Sequence, residues 1–203
     1  MIKLDGIQFA EITDSFKNVT VKALETRLQQ ESDRKRKRSI EFMLTPRGID
    51  RMYTSLKRLK YQIYSTVKSP DGDLYFMAKT KDLELEINDD MYNVGPYFVA
   101  IPIKGFLSRQ VNPVHMFPAY KPKTRLRHLH HTAGIEEYEI KHPLTVPGST
   151  CWGTVGSAYS AAVYDASIVD MFRVLYIFLT RLDWRSPLCS AWKWEAMEYG
   201  ERL

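Results

Sequence analysis

Cys151 is the residue whose type and setting best suit covalent chemistry. It lies in the stretch 142–153, HPLTVPGSTCWG, behind a histidine, two prolines and a glycine, and ahead of a tryptophan and a second glycine. A thiol in a turn rich in Gly and Pro is held by backbone shape, not by a periodic core element. A large partner can reach it, and as thiolate it is a nucleophile. The alternative is a small apolar residue packed beneath a loop. The second cysteine, Cys189, follows Pro187-Leu188 in an apolar, Trp-rich tail, where a packed and inert thiol is expected. His128, His130, His131 and His142 crowd the segment before Cys151. The pattern His-x-His-His raises the question of a metal, but zinc wants further Cys, His or carboxylate ligands at familiar spacings, and Cys151 is the nearby thiol. No metal site is assigned.

The elements that must position these residues are bounded first by composition. At 203 residues, 44% hydrophobic and 12% aromatic, the chain is long enough to bury a real core as one domain with an extension, or as two small ones. Two cysteines make no disulfide framework of the small secreted kind. The N-terminus MIKLDGIQFAEITD carries acids early and lacks the pattern of a secretory signal. No apolar run approaches the length of a membrane span. A reducing, cytoplasmic setting is the simplest expectation. The net charge of +5 permits an acidic partner, and much of the excess sits in Arg34-Lys35-Arg36-Lys37-Arg38. Such a run reads as a solvated face or flexible linker; no nucleic-acid motif accompanies it, so nucleic acid is not expected as a partner.

Taken in order, residues 1–44 read as an N-terminal extension. Ile7, Phe9 and Ile12 alternate as in a short strand, and Val19 to Gln30 suit a helix with Val21, Leu24 and Leu28 on one side. The basic run then serves as a linker before the apolar stretch Ile40–Leu44. Thr45 and Pro46 are start signals for an amphipathic helix of about five turns, with Ile49, Met52, Tyr53, Leu56, Leu59 and Ile63 as its stripe and Arg47, Arg51, Lys57, Arg58 and Lys60 on its basic side. After the turn Ser69-Pro70-Asp71-Gly72, strands are expected at Leu74–Ala78, Leu83–Ile87, Tyr97–Ile103 and Val114–Phe117. Their short links argue an antiparallel meander of four strands. Residues 118–148 read as irregular. A small-residue run, Gly156–Ala162, leads into a buried helix capped by Asp165 or Ser167, with Ile168, Met171, Phe172, Leu175, Phe178, Leu179 and Leu182 on its apolar face. The fold class is therefore α+β.

Three local sequences laid on that order resemble ubiquitin-conjugating (E2) enzymes. Asp90–Gly105, DMYNVGPYFVAIPIKG, is similar to the family's third-strand region. Asn112–Phe117, NPVHMF, is similar to the proline–valine–x–phenylalanine strand that follows. His142-Pro143 stands nine residues before Cys151, close to the spacing between the family's His-Pro-Asn and its catalytic cysteine. Gly148 sits where the family has a glycine shortly before the thiol. Cys-Trp-Gly resembles divergent bacterial and phage E2-like proteins more than eukaryotic ones. Two features depart from the pattern: Leu144 replaces the asparagine, and His128–Lys141 is an additional segment before the His-Pro pair.

The resemblance implies a UBC-like fold over residues 45–203: N-terminal helix, four-stranded antiparallel meander, long active-site loop and C-terminal buried helix, preceded by the extension and its basic linker. It implies that Cys151 accepts a ubiquitin-like modifier as a thioester from an E1 activating enzyme and passes it to an amine of a protein substrate, with no metal or organic cofactor. Thr150 and His142 are candidate donors to the oxyanion in place of the missing asparagine. Asp183, 32 residues beyond Cys151, matches an acidic residue that orients the incoming lysine. Arg47, Arg51, Lys57 and Arg58 lie on the helix that resembles the one docking the activating enzyme. The alternatives are a noncatalytic E2-variant or RWD-like module that only binds a partner, and a basic nucleic-acid-binding protein.

Overall fold

The computed structural model describes residues 2–4, 7–11, 15–87, 90–111, 114–119, 126–130, 138–140, 145–146, 149–150, 155–181 and 192–196. A hairpin of β1 (Ile2–Leu4) and β2 (Ile7–Glu11) precedes three consecutive helices, each opened by a side chain that satisfies an orphan N–H of the first turn. Ser15 accepts from Asn18 N–H at the start of α1 (Phe16–Gln30). Asp33 accepts from Arg36 N–H at 2.9 Å at the start of α2 (Arg34–Leu44). Thr45 closes α2 and opens α3 (Pro46–Arg58): its hydroxyl donates to the Phe42 carbonyl at 2.7 Å and accepts from Gly48 N–H at 3.0 Å.

The basic run expected as a linker is therefore the first half of a helix. Its cap is one reason, and its periodicity the other. Arg36, Ile40, Met43 and Leu44 turn inward, with Ile40 fully buried, while Arg34, Lys35, Lys37 and Arg38 face solvent. The buried face of α1 is likewise set by Phe16, Val19, Ala23, Leu24 and Arg27, with Val21 and Leu28 only at its margin. Residues 16–44 share one core with the rest of the chain: Phe16, Val19, Leu24 and Ile40 pack in the same cluster as Met52, Leu56, Phe76 and Phe172.

The helix whose stripe is expected to reach Ile63 stops at Arg58. Leu59 closes it, and Tyr61–Lys68 is strand β3. That stretch holds Tyr61, Ile63, Tyr64, Thr66 and Val67, the aromatic and β-branched types that fit a pleated surface. Pairing with β4 (Leu74–Thr80) across the Ser69–Asp73 turn outcompetes continuation of the helix. Gly72 takes φ 91° there.

The chain then makes a separate hairpin, β5 (Leu83–Ile87) with β6 (Asp90–Gly95), before β7 (Tyr97–Pro102) returns to lie beside β4. Pro102 ends β7 and opens a short helix, α4 (Ile103–Ser108), which the sequence reading missed. β8 (His115–Pro118) pairs with β7. The resulting antiparallel sheet has the order β1-β2-β3-β4-β7-β8. Four of its strands do succeed one another as a meander, but the set differs from the expected one: β3 belongs to it and Leu83–Ile87 does not.

Beyond β8, the segment expected to be irregular contains β9 (Leu126–His130), β10 (Tyr138–Ile140), β11 (Thr145–Val146) and β12 (Ser149–Thr150). β9 pairs on one side with β10 and on the other with β13 (Trp192–Ala196), a strand 62 positions further along the chain at its nearest (Trp192↔His130). Pairing of that reach leaves no local trace in the sequence. The small-residue run 156–162 is itself helical, in α5 (Gly156–Tyr164), and Ser167 rather than Asp165 caps α6 (Ile168–Thr180).

Both faces of the sheet are covered. Phe76, Ala78, Val99, Ile101 and Met116 meet the helices on one face, and Val67, Tyr75, Met77, Ala100 and Phe117 form a second cluster on the other. The helix-side core is aromatic at its centre. Tyr61, Tyr64 and Phe172 pack with ring centroids 5.3–5.7 Å apart, and the Tyr61 hydroxyl donates to the Phe172 carbonyl at 2.9 Å.

Candidate functional site

Cys151, His142 and Asp183 lie outside the described residues, as do Leu144 and Cys189. What the structure describes is the frame on either side of the candidate thiol. On the N-terminal side, Thr150 is the last residue of β12, registered opposite Thr145 of β11, with Val146 opposite Ser149. Two residues, 147 and 148, connect the strands, and the sequence there is Pro-Gly. Thr150 immediately precedes Cys151, and Thr145 immediately follows Leu144. On the C-terminal side α5 begins at Gly156, five residues past Cys151.

The two helices that follow the thiol are fixed firmly. Tyr159, Ala162 and Val163 of α5 are buried, and so are Ile168, Met171, Phe172, Leu175, Phe178 and Leu179 of α6. The corner between them is closed by N–H groups of Asp165, Ala166 and Ser167 donating back to carbonyls of Ala161, Val163 and Ala162. Ala166 adopts φ 56° at that corner and has no exposed surface.

Arg27, on α1, locks this frame from below. Its side chain is fully buried, donates to the Phe106 carbonyl in α4 and to the Tyr164 carbonyl at the end of α5 at 2.8 Å, and lies 5.4 Å from the Phe106 ring. Burial lowers its pKa, and the nearby Glu31 opposes that shift. A cation at the C-terminal end of α5 also meets the negative end of the helix dipole. Glu31 collects the remaining charges: Arg36 Nε and Arg109 Nη2 each approach its carboxylate at 3.3 Å, and Asp33 N–H donates to it at 2.9 Å. Burial alone would raise the Glu31 pKa, but these three partners outweigh it and hold the carboxyl below its ordinary value. Arg36 also stacks 4.3 Å from the Tyr164 ring.

Sequence reasoning missed Arg27, Glu31 and Arg36 as positioning groups. The signal was present for two of them. Arg27 stands three and four residues past Leu24 and Ala23, on the buried stripe, and Glu31 follows it by four.

The four residues expected to dock an activating enzyme, Arg47, Arg51, Lys57 and Arg58, are all exposed on α3, opposite its buried Gly48, Met52 and Leu56. They form one stripe with Asp50 and Thr54, and the structure brings the solvent-facing cations of α2 onto the neighbouring helix. The two helices touch closely, because a β-carbon on Gly48 would fall 2.0 Å from the Phe42 carbonyl oxygen and 2.9 Å from Met43 Cα.

Of the histidines, His115 is fully described. It stacks on Phe117 and meets Tyr75 edge-on, with centroids 5.8 and 5.6 Å away, and burial pushes its pKa down. His128 and His130 are registered in β9 opposite Trp194 and Trp192 of β13. Among the described residues no group of three or more His, Cys, Asp or Glu is placed to hold a metal ion, and no helix is long and apolar enough to cross a membrane.

Comparison with protein-family models, with curated proteins and with solved structures finds no match to this chain.

Proposed function

We propose that this protein is an E2-like conjugating enzyme that carries a ubiquitin-like modifier as a thioester on Cys151. One observation carries the reading: the order of elements. An amphipathic basic helix (α3) leads into four antiparallel strands that neighbour one another in turn (β3, β4, β7, β8), and the segment holding His142-Pro143 and Cys151 precedes two buried helices. That order supports the local likeness around Asp90–Gly105, Asn112–Phe117 and His142–Cys151.

In this reading the Cys151 thiolate attacks the thioester carbonyl of the modifier held on the activating enzyme. A new carbon–sulfur bond forms at Cys151, the old one breaks, and the activating enzyme's cysteine leaves as thiolate. A substrate amine then attacks the new thioester; a carbon–nitrogen bond forms, Cys151 leaves as thiolate, and the ammonium proton passes to Asp183. Thiolate is a far better leaving group than an amide nitrogen, which divides one hard step into two easier ones. The oxyanion needs donors, and losing one typically costs about 100- to 1,000-fold in rate. With Leu144 in the asparagine position, the donors proposed are the Thr150 hydroxyl, His142 and backbone N–H groups beside Cys151. Arg47, Arg51, Lys57 and Arg58 form the docking face for the activating enzyme.

A second reading, a noncatalytic E2-variant module, draws on Leu144, whose side chain cannot donate to an oxyanion. Incubating the protein with a cognate activating enzyme, modifier and ATP, then running the products on a non-reducing gel, separates the two. The enzyme forms a thiol-sensitive adduct that Cys151→Ala abolishes, Cys189→Ala spares, and Arg51→Glu/Arg58→Glu slows. The binding module forms none while the activating enzyme itself is charged.

A further inference from the structure

Residues 34–60 hold ten of the chain's 29 Lys and Arg but only two of its 24 Asp and Glu, so this one segment exceeds the whole net charge of +5 and the remainder is net negative. With the run 34–38 in a capped helix, these cations are organised rather than trailing. Arg34, Lys35, Lys37 and Arg38 on α2, and Arg47, Arg51, Lys57, Arg58 and Lys60 on and just after α3, are all solvent-facing, and none has an ion-pair partner among the described residues. Arg36, the one inward member, is already committed to Glu31, Asp33 and the Tyr164 ring. The two helices pack together at Gly48, beside the single residue Thr45 that joins them, so the nine cations are carried on one helix pair whose members are roughly 16 and 20 Å long at 1.5 Å per residue.

We propose that this face binds nucleic acid through its phosphates, without reading base sequence. Three features favour a phosphate backbone over other anionic surfaces. Protein interfaces concentrate apolar and aromatic groups and are depleted in Lys, whereas nucleic-acid interfaces are polar and strongly positive. Here Phe42, 44% exposed, is the large apolar side chain that α2 and α3 present to solvent. A membrane-surface helix needs a broad apolar face free for lipid, and that of α3 is buried in the core at Met52 and Leu56. Nine solvent-facing cations on two consecutive helices, none in an ion pair among the described residues, can meet several phosphates at once, and counterion release then supplies the affinity.

The proposal goes beyond the conjugation reading and does not need it: the two share Arg47, Arg51, Lys57 and Arg58 on α3, whereas the cations of α2 belong to this proposal alone and no residue near Cys151 takes part. The test is fluorescence anisotropy of the full chain with a labelled 20-base-pair duplex and a labelled single strand, across a salt series. Five or more phosphate contacts give a slope of log affinity on log salt of about −4 or steeper, a loss of roughly 250-fold between 50 and 200 mM salt. The variant Arg34→Gln/Lys35→Gln/Lys37→Gln/Arg38→Gln keeps the Asp33 cap, Arg36 and Ile40, and its helicity is checked by circular dichroism. It should flatten the slope by about three, while Cys151→Ala binds like the unaltered protein. No binding at 50 mM salt overturns the proposal, as does a folded quadruple variant with unchanged slope. Tighter binding to polyglutamate, or to phosphatidylcholine vesicles containing phosphatidylserine, also overturns it. Loss of thioester formation with retained duplex binding removes the conjugation reading alone.

Discussion

Gly48→Ala tests the close packing that holds the two basic helices, α2 and α3, together. In an open helix this change stabilises by about 1 kcal/mol, because Gly is a poor helix former. Here the added β-carbon meets backbone, not a side chain that can swing away: it would sit 2.0 Å from the Phe42 carbonyl oxygen, where an ordinary contact needs 3.4 Å or more. The helices must therefore separate by more than an ångström. Overpacking of that kind costs about 1–3 kcal/mol. The separation also pulls apart the Thr45 hydroxyl bonds to Phe42 and Gly48, which straddle the crossing, and a lost cap adds about 1 kcal/mol. Net of propensity, the expected destabilisation is about 2 kcal/mol, a fall in Tm of roughly 4–8 °C for a chain of this size. Urea and thermal unfolding followed by circular dichroism measure it, with exposed Thr54→Ala as a control expected within about 0.5 kcal/mol of the unaltered protein. A Gly48→Ala variant as stable as the parent, or more stable, refutes the close contact of α2 and α3 at Gly48.

Three further outcomes follow from buried charge. Arg27→Met leaves the Phe106 and Tyr164 carbonyls without their donor; at about 1–3 kcal/mol per stranded group, unfolding in urea should shift to clearly lower concentration, and Arg27→Lys should not restore it because an ammonium cannot reproduce the fork. His115 has its pKa lowered in the fold, so the folded state takes up its proton later than the unfolded chain; stability is full above the unfolded value near 6.5 and falls as pH drops below it, an acid-side loss that His115→Gln should reduce in a pH series of melts. Glu31 is the opposite charge type with its pKa also depressed: its contribution is present above the unfolded value near 4.5 and is lost as pH falls through the folded one, and Glu31→Gln should weaken the fold at pH 7 by leaving Arg36 and Arg109 without their shared carboxylate.

The contrast between what local sequence reveals and what it hides is clearest at α3 and β3. Thr45-Pro46 marks the start of α3 unambiguously, since capping is a local interaction. The end is not local: Leu59 and Ile63 continue a helical stripe by spacing, and pairing with Leu74–Thr80 decides that Tyr61 onward is strand. The run 34–38 misleads in the same way, because charge density argues solvation while the inward turn of Arg36 depends on Glu31 and Tyr164, one of them on the distant α5. α6 was legible from Ile168 to Leu179, its six buried residues recurring at three- and four-residue steps, while Leu182, expected on the same face, lies outside the described residues. Of the candidate site, the exposure of Arg47, Arg51, Lys57 and Arg58 on α3 was legible in the sequence. Thr150 is described only in its strand register, and Cys151, His142 and Asp183 rest on sequence. β9 and β13 left no periodic signal because they are short and pair at long range.

The most direct measurement is the site of attachment. The protein, charged by a cognate activating enzyme with modifier and ATP, is digested at acid pH without reductant and mapped by mass spectrometry. A thioester on Cys151 puts the modifier's C-terminal fragment on the peptide containing Cys151, released by hydroxylamine or thiol and absent from Cys151→Ala. Attachment at Cys189, a thiol-resistant linkage to lysine with free Cys151, or an uncharged protein beside a charged activating enzyme contradicts it.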